Sequence, residues 1–196
     1  MQFATTERGY KMETLDTINK RASLKTRLSP RHVEQEKIEK ILDAARLAPS
    51  ARNSQSWRFI VVKDKETIET LVSKAFSERN AVVSEAPVII IACANPSDDL
   101  TIGGREYYLF NVALAVENML LAATDLGLVT HPMTGVDEDE LKKALRIPDE
   151  VRFVVATPLS YPAEGSYDEA AQERLGQRTR KDLRELVYWN AWGRSL

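Results

Sequence analysis

The sequence predicts an α+β fold of three layers, with a sheet between two layers of helices. Three observations carry that expectation. Segments with apolar residues at helical spacing alternate with a few short strand-like runs. The run Val88–Ala94 is strongly β-branched and bounded by Pro87 and Pro96, as suits a central strand covered on both faces. Tyr107–Leu126 is the longest helix, and its apolar residues nearly encircle it, so burial on most of its sides is expected.

The elements follow in order. Met12–Lys20 forms a short first helix. Val33–Leu47 places Ile38, Ile41, Leu42 and Ala45 on one helical face and ends at Pro49. Trp57–Lys63 reads as a strand with a continuous apolar centre, and Lys65–Phe76 as a helix burying Ile68, Leu71, Val72 and Ala75. After the long helix, Gly127 stands where a left-handed C-terminal residue is needed. A short segment Leu128–Pro132 leads to a helix over Asp137–Leu145, opened by Asp137 with Glu140 three residues on, and then to a strand over Val151–Pro158. Beyond Tyr161 the chain turns polar and basic yet keeps Tyr188, Trp189 and Trp192, aromatics that need a surface to pack on. One domain over residues 1–196 is expected, with 1–11 as a tail and about 178–196 as a C-terminal extension.

Composition narrows the function. A net charge of −2 supplies no global field for nucleic acid or an anionic membrane. Basic residues cluster only around Lys20–Arg27 and Arg174–Arg184, compact patches that suit a single phosphate better than a polyanion. The lone cysteine, Cys93, excludes an intramolecular disulfide, points to a reducing compartment, and reads as core rather than nucleophile. Met1–Lys11 lacks the apolar segment of a signal peptide, and Leu109–Leu121 is interrupted by Asn111, Glu117 and Asn118, so a cytoplasmic location is expected. His32 and His131 have no partners at metal-ligand spacing, and no metal is expected. No Gly-x-Gly-x-x-Gly follows a strand, no phosphate-loop motif occurs, and no Gly-x-Ser-x-Gly supports a hydrolase. This shortage of acid, base and nucleophile clusters directs attention to a cofactor that brings its own chemistry.

Four separated stretches together resemble the nitroreductase family. Lys20-Arg21-Ala22-Ser23-Leu24-Lys25 is similar to its Arg-x-Ser-x-Lys/Arg, and Ala48-Pro49-Ser50-Ala51-Arg52-Asn53-Ser54-Gln55-Ser56-Trp57 to its Ala-Pro-Ser-x-x-Asn-x-Gln-Pro-Trp. Gly127-Leu128 followed by Pro132-Met133-Thr134-Gly135 is similar to its Gly-Leu…Pro-x-x-Gly, and Arg178-Thr179-Arg180 completes the series. Ser56 stands where the family usually has proline and Asn111 where aspartate is common; neither is expected to carry the chemistry. Pro96–Tyr108 has no firm counterpart.

The resemblance implies a mostly antiparallel central sheet, the long helix at a homodimer interface, and a C-terminal extension embracing the partner subunit. It implies FMN as cofactor and NADH or NADPH as co-substrate in a ping-pong reduction of a nitroaromatic, quinone or similar conjugated acceptor. Arg21, Ala22, Ser23 and Lys25, with Arg178 and Arg180, would hold the phosphate; the alternating side chains of each piece would point one way on extended backbone. Pro49, Ser50, Ala51 and Asn53 would reach the flavin of the partner subunit, and Asn80 the ring or the nicotinamide. Pro132, Met133, Thr134 and Gly135 would form the loop that offers the Gly135 amide to flavin N5, glycine allowing close approach and unusual dihedrals. Many relatives have glutamate where Thr134 stands. Tyr107, Tyr108, Phe76 and Arg105 are candidates for a pocket over the ring, with core packing as the alternative. On the residues alone, solvated charged surfaces, a capping loop and a plain turn remain open for these sites. Other readings are a relative specialised for dehalogenation, flavin destruction or one metabolite, a non-catalytic flavin binder, and a helical interaction protein without cofactor.

Overall fold

The computed structural model describes residues 13–23, 27–166 and 178–194. They fall into two compact units, one ending at Ser166 and one following it.

In the first unit, β1 (Trp57–Val62), β2 (Val88–Ala94), β5 (Val129–Thr130) and β6 (Arg152–Ser160) form one antiparallel sheet in the order β1-β2-β6-β5. The all-apolar β2 is paired on both edges and buried along its whole length, as its composition demands. Its pleat sorts the layers. Val88, Ile90, Ala92 and Ala94 join a core with Ile38, Ile41 and Ala45 of α2 (Gln35–Arg46) and with α4 (Tyr108–Asp125). Ile89, Ile91 and Cys93 point the other way, towards the layer in which α3 (Lys65–Lys74) and α5 (Glu138–Leu145) pack together. Burial pushes the Cys93 thiol up to about 11, so it is an inert part of that core.

Local signals set the element ends. Gly127, at φ 75°, lets the Gly127 and Leu128 amides donate to Thr124 and Ala123 carbonyls at 3.1 and 2.9 Å, closing α4 and turning the chain into β5. Asp137 caps α5 by accepting the Asp139 and Glu140 amides, each at 3.1 Å. Glu140 does not reciprocate; it pairs with Lys143 at 2.7 Å. The sequence also hid a two-residue hairpin, β3 (Thr101–Ile102) with β4 (Arg105–Glu106), and 3-10 turns at Ala51–Asn53, Glu78–Glu85 and Pro96–Asp98, elements too short for periodicity to mark.

Within the chain α4 buries a single stripe, Tyr108, Asn111, Val112, Ala115, Val116, Met119, Leu120 and Ala123. Its opposite face leaves Leu109 and Phe110 47% and 59% exposed. Leu15 and Ile18 of α1 (Thr14–Lys20), a helix that packs on α4, are exposed too. In the second unit, α6 (Leu183–Leu186) leaves Leu183 and Leu186 exposed, and Trp192 is 90% exposed with its ring 4.7 Å from that of Tyr188.

A carboxylate at the start of α5 fixes that helix to β6. Glu138 accepts Arg152 Nε and Nη2 at 3.0 and 3.2 Å and the Phe153 amide at 3.0 Å, with Lys142 Nζ at 3.4 Å. These bonds, those from Arg152 foremost, outweigh desolvation and hold its carboxyl down to about 2. A depressed carboxylate contributes stability that is complete above its unfolded value and is lost as pH falls through the folded one. Glu138→Gln is expected to lose about 1.5–3 kcal/mol at neutral pH. The gap to the parent should close between the ordinary value of 4.5 and about 2, which urea unfolding at a series of pH values measures. A constant gap across that window would assign the loss to shape instead of charge.

Candidate active site

Two of the sequence-predicted segments meet at the β5 side of the sheet. Arg21 caps the C-terminus of α1, its amide donating to Thr17 O at 2.8 Å, and its guanidinium lies 3.6 Å from Glu117 on α4. Ala22 follows, and Ser23 bridges Thr130 of β5 in parallel fashion, which continues the sheet by one residue. Chain leaving β5 passes through His131 and Pro132 to Met133, which exchanges two backbone hydrogen bonds with Ala156 of β6 at 2.8 and 3.0 Å. Lys25 lies outside the described residues. Arg178 and Arg180 belong to the second unit.

The loop Pro132–Gly135 is fixed from several sides. Gly135 O accepts the Ser77 amide at 3.1 Å and Asn80 Nδ2 at 3.4 Å; Val136 bridges Phe76; and the Asp137 amide donates to Ala75 O at 2.7 Å. Asn80 is buried, so its pairing with Gly135 joins two of the candidates. A Cβ at Gly135 would meet Ser77 Oγ at 3.2 Å, and its φ is not positive. Glycine is therefore needed here for close approach and not for an unusual dihedral. Among the described residues the Gly135 N–H donates to nothing, while Thr134 and Gly135 face solvent.

Ala48–Trp57 forms a second fixed loop, where Pro49 and an extended Ser50 lead into the 3-10 turn Ala51–Asn53. Arg52, Asn53 and Gln55 have φ of 52°, 57° and 47°, in the left-handed region that costs an arginine or glutamine roughly 1–2 kcal/mol each. Hydrogen bonds offset that strain. The Gln55 amide donates to Ser50 Oγ at 3.0 Å, and buried Asn111 of α4 accepts the Ala51 amide at 3.1 Å and donates to Ser54 Oγ at 3.3 Å. Asn111 also donates to Asp99 Oδ2 at 2.7 Å, to which Ser56 donates at 2.6 Å. Burial pushes the Asp99 carboxyl up, but the bonds from Ser56, the Leu100 amide, Asn111 and Ser54 together hold it below the usual range. Sequence reasoning missed Asp99 and Ser77 altogether and gave Ser56 and Asn111 no role. The available signal was that both departures introduce hydrogen-bond donors, which implies a new acceptor nearby.

The pocket-wall candidates divide. Tyr108 is 5% exposed and belongs to the α2–α4 core, where burial raises its hydroxyl pKa, and Phe76, whose backbone bridges Val136, is buried. These two are packing residues, because each ring finds a dry surface inside the chain. Tyr107, half-buried before α4, and Arg105, exposed on the β3–β4 hairpin, stay at the surface. A cleft of about 560 Å³ lined by Arg27, Leu28, His32, Lys63, Ile68 and Glu85, among others, shares no residue with the Gly135 loop. No group of three or more potential metal ligands occurs among the described residues, and no described helix is long and apolar enough to cross a membrane.

The family model described as Nitroreductase family matches residues 18–82 and 77–161, which spans both loops and the sheet. The chain belongs to the nitroreductase family. Several relatives extend that membership. A Methanothermobacter thermautotrophicus protein that carries the provisional name NADH dehydrogenase/NAD(P)H nitroreductase is 37% identical over 159 residues, 79% of this chain and 80% of that one. The crystal structure of a nitroreductase family protein from Clostridium novyi NT superposes with a TM-score of 0.73 at 32% identity, covering 94% of this chain and 97% of that chain. Iodotyrosine deiodinase from Thermotoga neapolitana is 31% identical over 144 residues, 62% of this chain and 74% of its own length. As a member of the nitroreductase family the chain is an oxidoreductase of α+β fold.

Proposed function

We propose that this nitroreductase family member is a cytoplasmic homodimer that binds FMN and transfers reducing equivalents from NADH or NADPH to a nitroaromatic, quinone or similar conjugated acceptor. The observation that carries the reading is the Gly135 loop: an amide with no acceptor among the described residues, on backbone anchored to β6 and to the segment after α3, beyond the sheet edge that Ser23 joins. That donor set fits FMN. Arg21 and Ser23 offer charge and a hydroxyl for a phosphate, Gly135 a fixed N–H for a ring nitrogen, and Asn53 an amide for a polar ring edge.

When bound, FMN supplies the two-electron carrier that no side chain here replaces. The chain's own residues bind and orient. Arg21 would neutralise charge on the phosphate. Asn80 holds Gly135 in place through its carbonyl, so that the amide keeps one direction and stabilises negative charge developing opposite it. Thr134, exposed and neutral beside it, adds no charge. The apolar outer face of α4 and the exposed aromatics Trp189 and Trp192 support a two-fold partner, which would bring a second copy of the Ala51–Gln55 loop to each site. The buried, unpaired Cys93 accords with a reducing compartment.

Purified protein is expected to be yellow, to bleach in the visible flavin band with NADH or NADPH, to reduce nitrofurazone or menadione, and to have twice the 22.1 kDa chain mass by light scattering. Colourless protein that takes up no added FMN would refute the reading. The deiodinase likeness favours a second reaction of the same site, reductive dehalogenation. Iodide release from iodotyrosine, with no turnover of nitrofurazone or menadione, would select it.

A further inference from the structure

Ser56 and Asn111 contact a single carboxylate, that of Asp99. Its Oδ2 accepts the Ser56 hydroxyl at 2.6 Å and Asn111 Nδ2 at 2.7 Å, and its Oδ1 accepts the Leu100 amide at 2.7 Å. Asn111 is fully buried, so it cannot turn to water when that partner is lost, and its other bonds run to the Ala51 amide and the Ser54 hydroxyl. The segment so gripped contains the three left-handed residues Arg52, Asn53 and Gln55. None is glycine, and conformations of this kind persist only where the surroundings over-determine them. Proline at position 56 and aspartate at position 111 would bring no side-chain donor, so neither could satisfy a carboxylate at position 99. The two departures and Asp99 thus make one unit, two donors converging on one acceptor.

We infer that Asp99 is a positioning residue: by fixing the orientation of the Asn111 amide it sets the left-handed course of Ala51–Gln55 and hence the direction in which exposed Asn53 is presented to the cofactor. The inference rests on the reading above that this loop contacts FMN. Asp99 itself is held among Ser56, Leu100 and Asn111 and acts through them.

Exchanging the carboxylate and the amide provides the test. Asn111→Asp alone sets two carboxylates against each other, and Asp99→Asn alone turns a donor NH2 towards either the Leu100 N–H or the Ser56 and Asn111 donors. In the double variant Asp99→Asn/Asn111→Asp every group regains a partner. The new carboxylate accepts from Ala51, Ser54 and the new amide, while the Ser56 hydroxyl reverses to accept from that amide. Each single variant is expected to weaken FMN binding about tenfold, measured by quenching of flavin fluorescence. Each should also change the visible circular dichroism of bound flavin and speed hydrogen exchange in the peptide containing Ala51. The double variant should restore all three readouts to within about threefold of the parent.

Parent protein that binds FMN, with single variants that match it in affinity, dichroism and exchange, would overturn the role of Asp99 while leaving the cofactor reading intact. Single variants that lose affinity only in step with their melting temperature, with no rescue in the exchange variant, would overturn it as well. Parent protein that takes up no FMN would refute the cofactor reading, and this role with it.

Discussion

Arg21→Ala is expected to weaken FMN binding by about 1.5–3 kcal/mol, the contribution of a charge-assisted bond to a phosphate. That is a loss of about one to two orders of magnitude in affinity. The Arg21 side chain is only 21% exposed, so its charge is partly desolvated and acts more strongly than one in open solvent. It also has Glu117 at 3.6 Å, a carboxylate that opposes an approaching dianion. Glu117→Gln should therefore tighten FMN modestly, the opposite sign from the arginine change. Flavin retained through gel filtration by the Arg21→Ala variant would remove this residue from the phosphate site.

Gly135→Val is expected to slow flavin reduction by NAD(P)H about a hundredfold, the scale on which a misplacement of one ångström costs a positioned group its effect. Gly135→Ala should cost about tenfold, since its Cβ would meet Ser77 Oγ at 3.2 Å and the contact can relax by a few tenths of an ångström. Because the nearest atom is a hydroxyl oxygen, Ser77→Ala should recover most of the alanine variant's loss, a coupling that a double-mutant cycle in stopped-flow bleaching measures directly. Additive losses would mean that crowding against Ser77 is not how the side chain acts, and an unimpaired Gly135→Val would separate the amide from the reaction.

The parts of this molecule that periodicity and composition control were legible from the chain alone. The buried β2, the stripe on α2, the Gly127 terminus and the Asp137 cap all follow from local rules and hold in the fold. The pairing of Asn80 with Gly135 was legible only as two separate candidates; tertiary structure joins them across 55 positions. Tyr108 and Phe76 could not be sorted from the sequence, because an aromatic ring satisfies a pocket wall and a core equally well. Asp99 was hidden for a different reason. Its partners Ser56 and Asn111 lie 43 and 12 residues away, and no short motif encodes a carboxylate that waits for two donors brought together by the sheet and α4.

The stretch from Met133 to Asp137 is tied by backbone bonds to β6 at one end and to the residues after α3 at the other. Its conformational entropy is thus surrendered when the chain folds, not when a ligand arrives. A molecule docking there meets a surface already in its final shape, so little ordering cost is subtracted from the contact energy. Capture should then proceed at a pace governed by diffusion and orientation, without waiting for a rare open conformer.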